Sequence, residues 1–227
     1  MQFVAQSTQV RIPKLYATFT EVATGMNFIV MEYIPGTSLS RCWASLEANR
    51  KEVIVRQLRH YFDELRSLPA PDHFASIDGS GLRDPMFTPV GSRGPPPPPF
   101  KTVEEMVRTI VDCVRSDTAE GSAKYGRDDL LHDGLLATLR GYKPVFTHGD
   151  LNFGNIVVPK NEEEEVVVID WAYSGWYPAP WDTGLGLFAS LGNPDDRYAA
   201  VRKITGDYVQ EFAWLYLWRY AGLVMLY

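Results

Sequence analysis

The 227-residue chain is 45% hydrophobic and 22% charged, a balance that can bury a sizeable core and excludes an intrinsically disordered protein. Its formal net charge of −6 offers no electrostatic attraction to a phosphate backbone, so nucleic acid is not an expected partner. Cys42 and Cys113 stand far apart without a CxxC pair, and neither a basic-then-apolar start nor an uninterrupted apolar span occurs; the expectation is a cytoplasmic protein with no disulfide framework and no membrane partner.

The opening MQFVAQSTQV reads as the tail of a helix that stops near Ile12, because Pro13 disfavours the α conformation in the residue before it. KLYATFT and NFIVMEYI, residues 14–20 and 27–34, are rich in β-branched and aromatic residues around a turn at Gly25, and they predict a β-hairpin ended by Pro35 and Gly36. From Ser38 the apolar spacing becomes helical, first through Leu39, Trp43 and Leu46, then through Ile54, Leu58, Phe62 and Leu65. Residues 70–100 are dense in proline and glycine. GPPPPPF within them favours polyproline II, and a stiff surface connection is expected there in preference to an SH3-type ligand.

Thr102 and Glu105 have capping-box spacing at the start of a helix over 102–114, and a further helix is predicted over 128–139. PVFTH, NIVV and EVVVID are short strand candidates. PKNEEEE joins the last two, and its consecutive acids suit a solvated hairpin loop better than a metal site. From about Pro180 to Tyr227 the pattern is helical, with Trp214, Leu217, Trp218 and Leu223 on one apolar face.

The chemistry concentrates in THGDLNFGNIVV, residues 147–158. Phosphoryl transfer needs a carboxylate to orient or deprotonate the attacking hydroxyl, and hard oxygen ligands to hold magnesium against the nucleotide phosphates. Asp150 can be the first. Asn155 lies far enough along for the loop to curl back beside it, and Asp170 ends a strand that brings a second carboxylate to the same cleft. A His-Gly-Asp triplet alone is weak, since such residues are frequent in turns; the ordered set His148, Asp150, Asn155 and Asp170 between strand candidates is much stronger.

HGDLNFGNIVV followed by VVVIDWAYSGWYPAPWD resembles the aminoglycoside phosphotransferase family, within the protein-kinase-like fold and in particular its fungal members of unassigned substrate. FIVMEYIPGTSL is similar to that family's hinge between lobes, and GPPPPPFKTVEEM to a segment of its helical lobe. The resemblance implies an α+β fold with a truncated small β lobe, residues 1–36, and a mainly helical large lobe, residues 37–227. It implies Asp150 as catalytic base, Asn155 and Asp170 as Mg2+ ligands, and His148 as a support for the Asp170 segment. Met31 becomes the gatekeeper beside the adenine, and backbone groups of Glu32 and Ile34 pair with the base edge. Trp171 stands where a protein kinase has the phenylalanine of Asp-Phe-Gly.

The implied activity moves the γ-phosphoryl group of ATP or GTP to a hydroxyl of a small molecule. A complete enzyme of this kind has a glycine-rich loop and a strand lysine before the hinge, and neither is identifiable: the first glycine is Gly25 and the only earlier lysine is Lys14. A non-catalytic pseudokinase or a fragment acting as a binding module is therefore the alternative. The aromatics Trp171, Tyr173, Trp176, Tyr177 and Trp181 either wall the substrate site or pack beneath it, and packing is the expectation. Asp182 is expected to cap the helix that follows.

Overall fold

The computed structural model describes residues 1–89, 91, 94–116, 127–161 and 165–224. Helix α1 (Gln2–Ser7) ends before the expected boundary near Ile12. The Thr8 hydroxyl donates back to the Val4 carbonyl at 2.8 Å while Thr8 itself turns extended, so Pro13 marks only an outer limit. Residues 8–14 then run beside the core, burying Val10 and Ile12, and the Arg11 carbonyl accepts from the Val168 amide at 3.0 Å.

Strands β1 (Leu15–Thr20) and β2 (Asn27–Met31) form the expected antiparallel hairpin, with Phe19 opposite Phe28 and Gly25 at φ +70° in its turn. The second strand stops at Met31, three residues short of its sequence-based end, and Gly36–Ser38 forms its own strand, β3. Helices α2 (Leu39–Cys42) and α3 (Ala48–Arg66) follow, the latter burying Ile54, Leu58, Phe62 and Leu65 as their spacing requires. Across the proline-rich region Phe74 and Phe100 exchange backbone hydrogen bonds at 2.8 and 3.0 Å, pinning both ends of an irregular surface segment.

Thr102 caps α4 (Val103–Ser116) by accepting from the Glu105 amide at 3.2 Å, and Glu105 reaches back to the Lys101 amide at 2.7 Å, one residue outside the usual box. In α5 (Arg127–Leu139) a Cβ on Gly134 would meet the Trp214 ring at 2.0 Å, so glycine lets α8 (Val209–Val224) approach closely. The side chains of Leu217, Trp218 and Leu223 on the expected apolar face of α8 lie outside the described residues, as do Glu162, Glu163 and Glu164 of the acidic loop.

The region around Asp150 is a set of short strands: β4 (Pro144–Thr147), β5 (Ile156–Pro159), β6 (Val167–Val168) and β7 (Gly175–Pro178). β5 lies between β3 and β6, and β4 pairs antiparallel with β7. The sequence reading assigned no strand to 175–178, treating Trp176 and Tyr177 as members of an aromatic cluster; they are a fully buried strand as well as core. The chain then forms α6 (Trp181–Ser190), α7 (Arg197–Thr205) and α8.

Two apolar cores result. One joins α1, α3 and α7 to the loop region through Val4, Leu58, Phe62, Phe146 and Ile156, and the other joins α4, α5 and α8 through Met106, Ile110, Leu135 and Leu215. Helix α6 bridges them, giving Leu187 to the first and Trp181 to the second. Among the described residues no helix is long and apolar enough to cross a membrane.

Candidate active site

After β4 the chain must turn sharply. Gly149 takes φ +82°, and a Cβ there would lie 2.3 Å from the Tyr173 carbonyl oxygen, so both conformation and space demand glycine. His148, fully buried, has a ring wedged at 4.6 Å against Trp171. Its Nδ1 accepts from the Asp150 amide at 3.2 Å, and its Nε2 faces the Ile169 carbonyl at 3.0 Å. Both contacts are satisfied by one species, the neutral imidazole protonated at Nε2, which donates to Ile169. The ring thus ties the Asp150 loop to the residue before Asp170.

The Asp150 carboxylate is gripped from both sides. Asn155 Nδ2 donates to its Oδ2 at 2.8 Å and to its main-chain carbonyl at 2.9 Å; Asn152 Nδ2 donates to Oδ1 and to the same carbonyl, each at 3.2 Å. Asn152 Oδ1 in turn accepts from the Gly154 amide at 2.8 Å, holding the short 3-10 turn Phe153–Asn155. The spacing of Asp150 and Asn155 in the sequence is therefore the length of one closed loop.

Asp170 follows Ile169, whose amide donates to the Asn155 carbonyl at 2.9 Å. At φ 62° it is the only non-glycine residue in the left-handed region among the described residues, a conformation aspartate tolerates and functional sites retain. Its side chain and the Asn155 Oδ1 accept no hydrogen bond among the described residues. Those two hard oxygens fit Mg2+, which is held by one or two protein groups plus water and substrate phosphates. Among the described residues no three His, Cys, Asp or Glu side chains gather to hold a metal, as such a substrate-assisted site allows.

Asp182 is the residue whose role sequence reasoning missed. It does not cap its own helix, which starts after Pro180; its carboxylate instead accepts from the His148 amide at 3.1 Å and the Gly149 amide at 3.0 Å. Burial pushes its carboxyl pKa up from 3.8, opposed by Arg66 and the two amides. The available signal was a lone acid in WDTGLGLF, an otherwise uncharged and apolar helix. Beneath it the aromatics pack as expected: Trp181 Nε1 donates to Asp84 at 2.9 Å, and Tyr177 donates to the Tyr173 carbonyl at 2.9 Å.

At the hinge residues, Met31 is 46% exposed. The Glu32 amide is already bonded to the Lys14 carbonyl at 2.8 Å, whereas the Glu32 carbonyl and the Ile34 amide take no hydrogen bond among the described residues. The Glu32 side chain accepts from both Arg11 Nη atoms at 2.8 and 3.1 Å and from the Lys14 amide at 3.0 Å, which lowers its pKa to about 2. Lys14 itself sits with its Nζ 5.7 Å from the Tyr16 ring centre.

Small sheets beside a large set of helices, with an Asp-Asn loop and a second aspartate two residues beyond a short strand, match the protein-kinase-like class of phosphotransferases. The chain belongs to the phosphotransferase enzyme family, whose model matches residues 1–218. Its fold is similar to that of aminoglycoside 2′-phosphotransferase-IIIa solved with GDP, at 12% identity and TM-score 0.64, covering 99% of this chain and 71% of that one. An aminoglycoside phosphotransferase solved with streptomycin and ATP matches at 16% identity and TM-score 0.58, covering 100% and 69%. A choline/ethanolamine kinase family protein from Mesorhizobium loti matches at 13% identity and TM-score 0.51, covering 95% and 64%. No curated protein sequence matches significantly.

Proposed function

We propose that the protein transfers the γ-phosphoryl group of ATP or GTP to a hydroxyl of a small molecule. The observation that carries this reading is the Asp150 carboxylate, held by the two amides of Asn152 and Asn155 and linked through His148 to the residue before Asp170. Asp150 accepts the acceptor's hydroxyl proton, and its fixed orientation keeps that hydroxyl aligned with the phosphorus. Asn155 and Asp170 would hold Mg2+, which when bound neutralises charge on the donor phosphates. The complexes of similar structures with GDP and with ATP support a nucleotide donor. The free Glu32 carbonyl and Ile34 amide suit a base edge, with Met31 beside it. Residues 1–36 form the small-lobe side of the cleft and 37–227 the helical lobe. Two cysteines far apart in the sequence and without a CxxC pair suit a cytoplasmic setting.

The test is transfer of labelled γ-phosphoryl from ATP and GTP to a panel of hydroxyl compounds. Asp150→Asn, which keeps the loop's shape, is expected to reduce transfer by at least about a hundredfold, in line with loss of a general base. Undiminished transfer in that variant overturns the reading.

A binding module without turnover is the second reading. One observation favours it: Lys14 lies over Tyr16 at the base of the hairpin and does not line the cleft beside Asp150. Magnesium-dependent nucleotide binding with no transfer to any acceptor would establish it.

A further inference from the structure

The cleft beside Asp150 has a volume of about 360 Å3 and is lined by Ser40, Asn152, Phe153, Phe188 and Arg197 among others. Among the described residues that line it, Asp150 supplies the only carboxylate and Arg197 the only cation. A polycationic acceptor needs several acids around its ammonium groups; here the single acid faces a guanidinium of opposite sign.

Arg197 is built into place. Its Nε and Nη2 donate to the two carboxylate oxygens of Asp195 at 2.7 and 2.6 Å, and its backbone amide donates to the same carboxylate at 3.2 Å. The guanidinium lies 5.7 Å from the Phe153 ring centre, and the side chains of Arg197 and Asp195 are only 12% and 13% exposed. The neighbouring Asp196 is occupied by Lys51 at 2.8 Å and the Trp43 indole at 2.7 Å. With one edge of the fork locked on Asp195, Nη1 donates no hydrogen bond among the described residues. Arg197 also opens α7, whose positive end adds to the same sign.

Resting on the phosphotransferase reading above, we infer that Arg197 determines acceptor specificity, and that the acceptor carries a compact oxyanion, carboxylate or phosphate, received by the free Nη1 edge while its hydroxyl meets Asp150. A guanidinium already ordered by Asp195 and Phe153 loses little freedom on receiving a second anion, and the planar fork suits both oxyanions.

The experiment measures binding of four probes to the whole chain by ligand-observed NMR: glycerol, D-glycerate, glycerol 3-phosphate and kanamycin. One or both anions are expected to bind on the order of tenfold more tightly than glycerol, as a charge-assisted hydrogen bond provides, and more tightly than kanamycin. The stronger of the two anions tells carboxylate from phosphate. Arg197→Gln is expected to remove the preference. Because that variant also disturbs the Asp195 pair, Asp195→Asn is the second arm: it keeps the guanidinium, frees its other edge, and is expected to retain or strengthen anion binding. Equal binding of glycerol and both anions, no binding by either anion, tightest binding by kanamycin, or an undiminished preference in Arg197→Gln each overturns the inference. Binding needs no turnover, so an anion preference alongside Asp150-independent transfer would refute only the catalytic reading. Asp150-dependent transfer to neutral alcohols without that preference would refute only this one.

Discussion

The Asp150 loop and the β1–β2 hairpin are built on opposite principles. Around the loop Thr147, His148 and Asp182 are buried, and the His148 and Gly149 amides and His148 Nε2 find their partners more than twenty positions away. In the hairpin every residue of β2 is exposed, including Phe28, Ile29, Val30 and Met31, and Phe19 stacks on Phe28 in the open at 5.1 Å. The loop's shape is imposed by helices and strands around it; the hairpin is held by its own ladder and the Arg11–Glu32 pair. The Asp150 geometry is therefore a property of the helices and strands packed around it, and substitutions in the two regions should differ sharply in their cost.

The largest effect is expected for Asp182→Ala, which leaves the His148 and Gly149 amides without acceptors. At about 1–3 kcal/mol for each buried orphaned group, relieved in part by removing a buried acid, the loss should be roughly 2–4 kcal/mol in a denaturant titration. Asp84→Ala comes next, orphaning the Trp181 indole and the Met86 amide, with an expected loss of about 2 kcal/mol by the same measurement. Glu32→Gln should cost about 0.2–1 kcal/mol, less in high salt, because its pair with Arg11 is partly exposed. Phe19→Ser, on a side chain 53% exposed, should stay within about 0.5 kcal/mol.

Acid separates the regions again. Glu32 has its pKa lowered from 4.5 to about 2, so its contribution is present above pH 4.5 and is lost as pH falls toward 2. Asp182 is shifted upward from 3.8, so the proton-linked part of its contribution is complete below pH 3.8 and declines as pH rises through the higher folded value, while its role as acceptor for two buried amides persists. Stability curves against pH for Glu32→Gln and Asp182→Ala, each subtracted from wild type, should slope in opposite directions.

Elements whose pattern is local were legible in the sequence. The 3.6-residue spacing of Ile54, Leu58, Phe62 and Leu65 gave α3, and Gly25 between two β-rich runs gave the hairpin. The loop was legible because the atoms that hold Asp150 come from Asn152 and Asn155, within five residues of it. What escaped depends on separation along the chain. Asp182 meets its partners across 33 and 34 positions, and Asp84 meets Trp181 across 97. Strand β7 escaped because GWYP is too short and too uniformly buried to alternate, and it is a strand because β4 pairs with it on one side and Ala75 and Ser76 bridge to it on the other. The end of α1 was displaced by a side-chain hydrogen bond that competes with the helix, which a rule about proline does not contain.

Native-state hydrogen exchange of individual amides tests most directly whether the buried surroundings of the Asp150 loop build the site. The amides of His148 and Gly149, bonded to buried Asp182, are expected to exchange only through global unfolding, while those of Phe28 and Ile29 in the hairpin exchange through local opening at much lower free energy. Equal protection in the two regions, or faster exchange in the loop than in the hairpin, would contradict it.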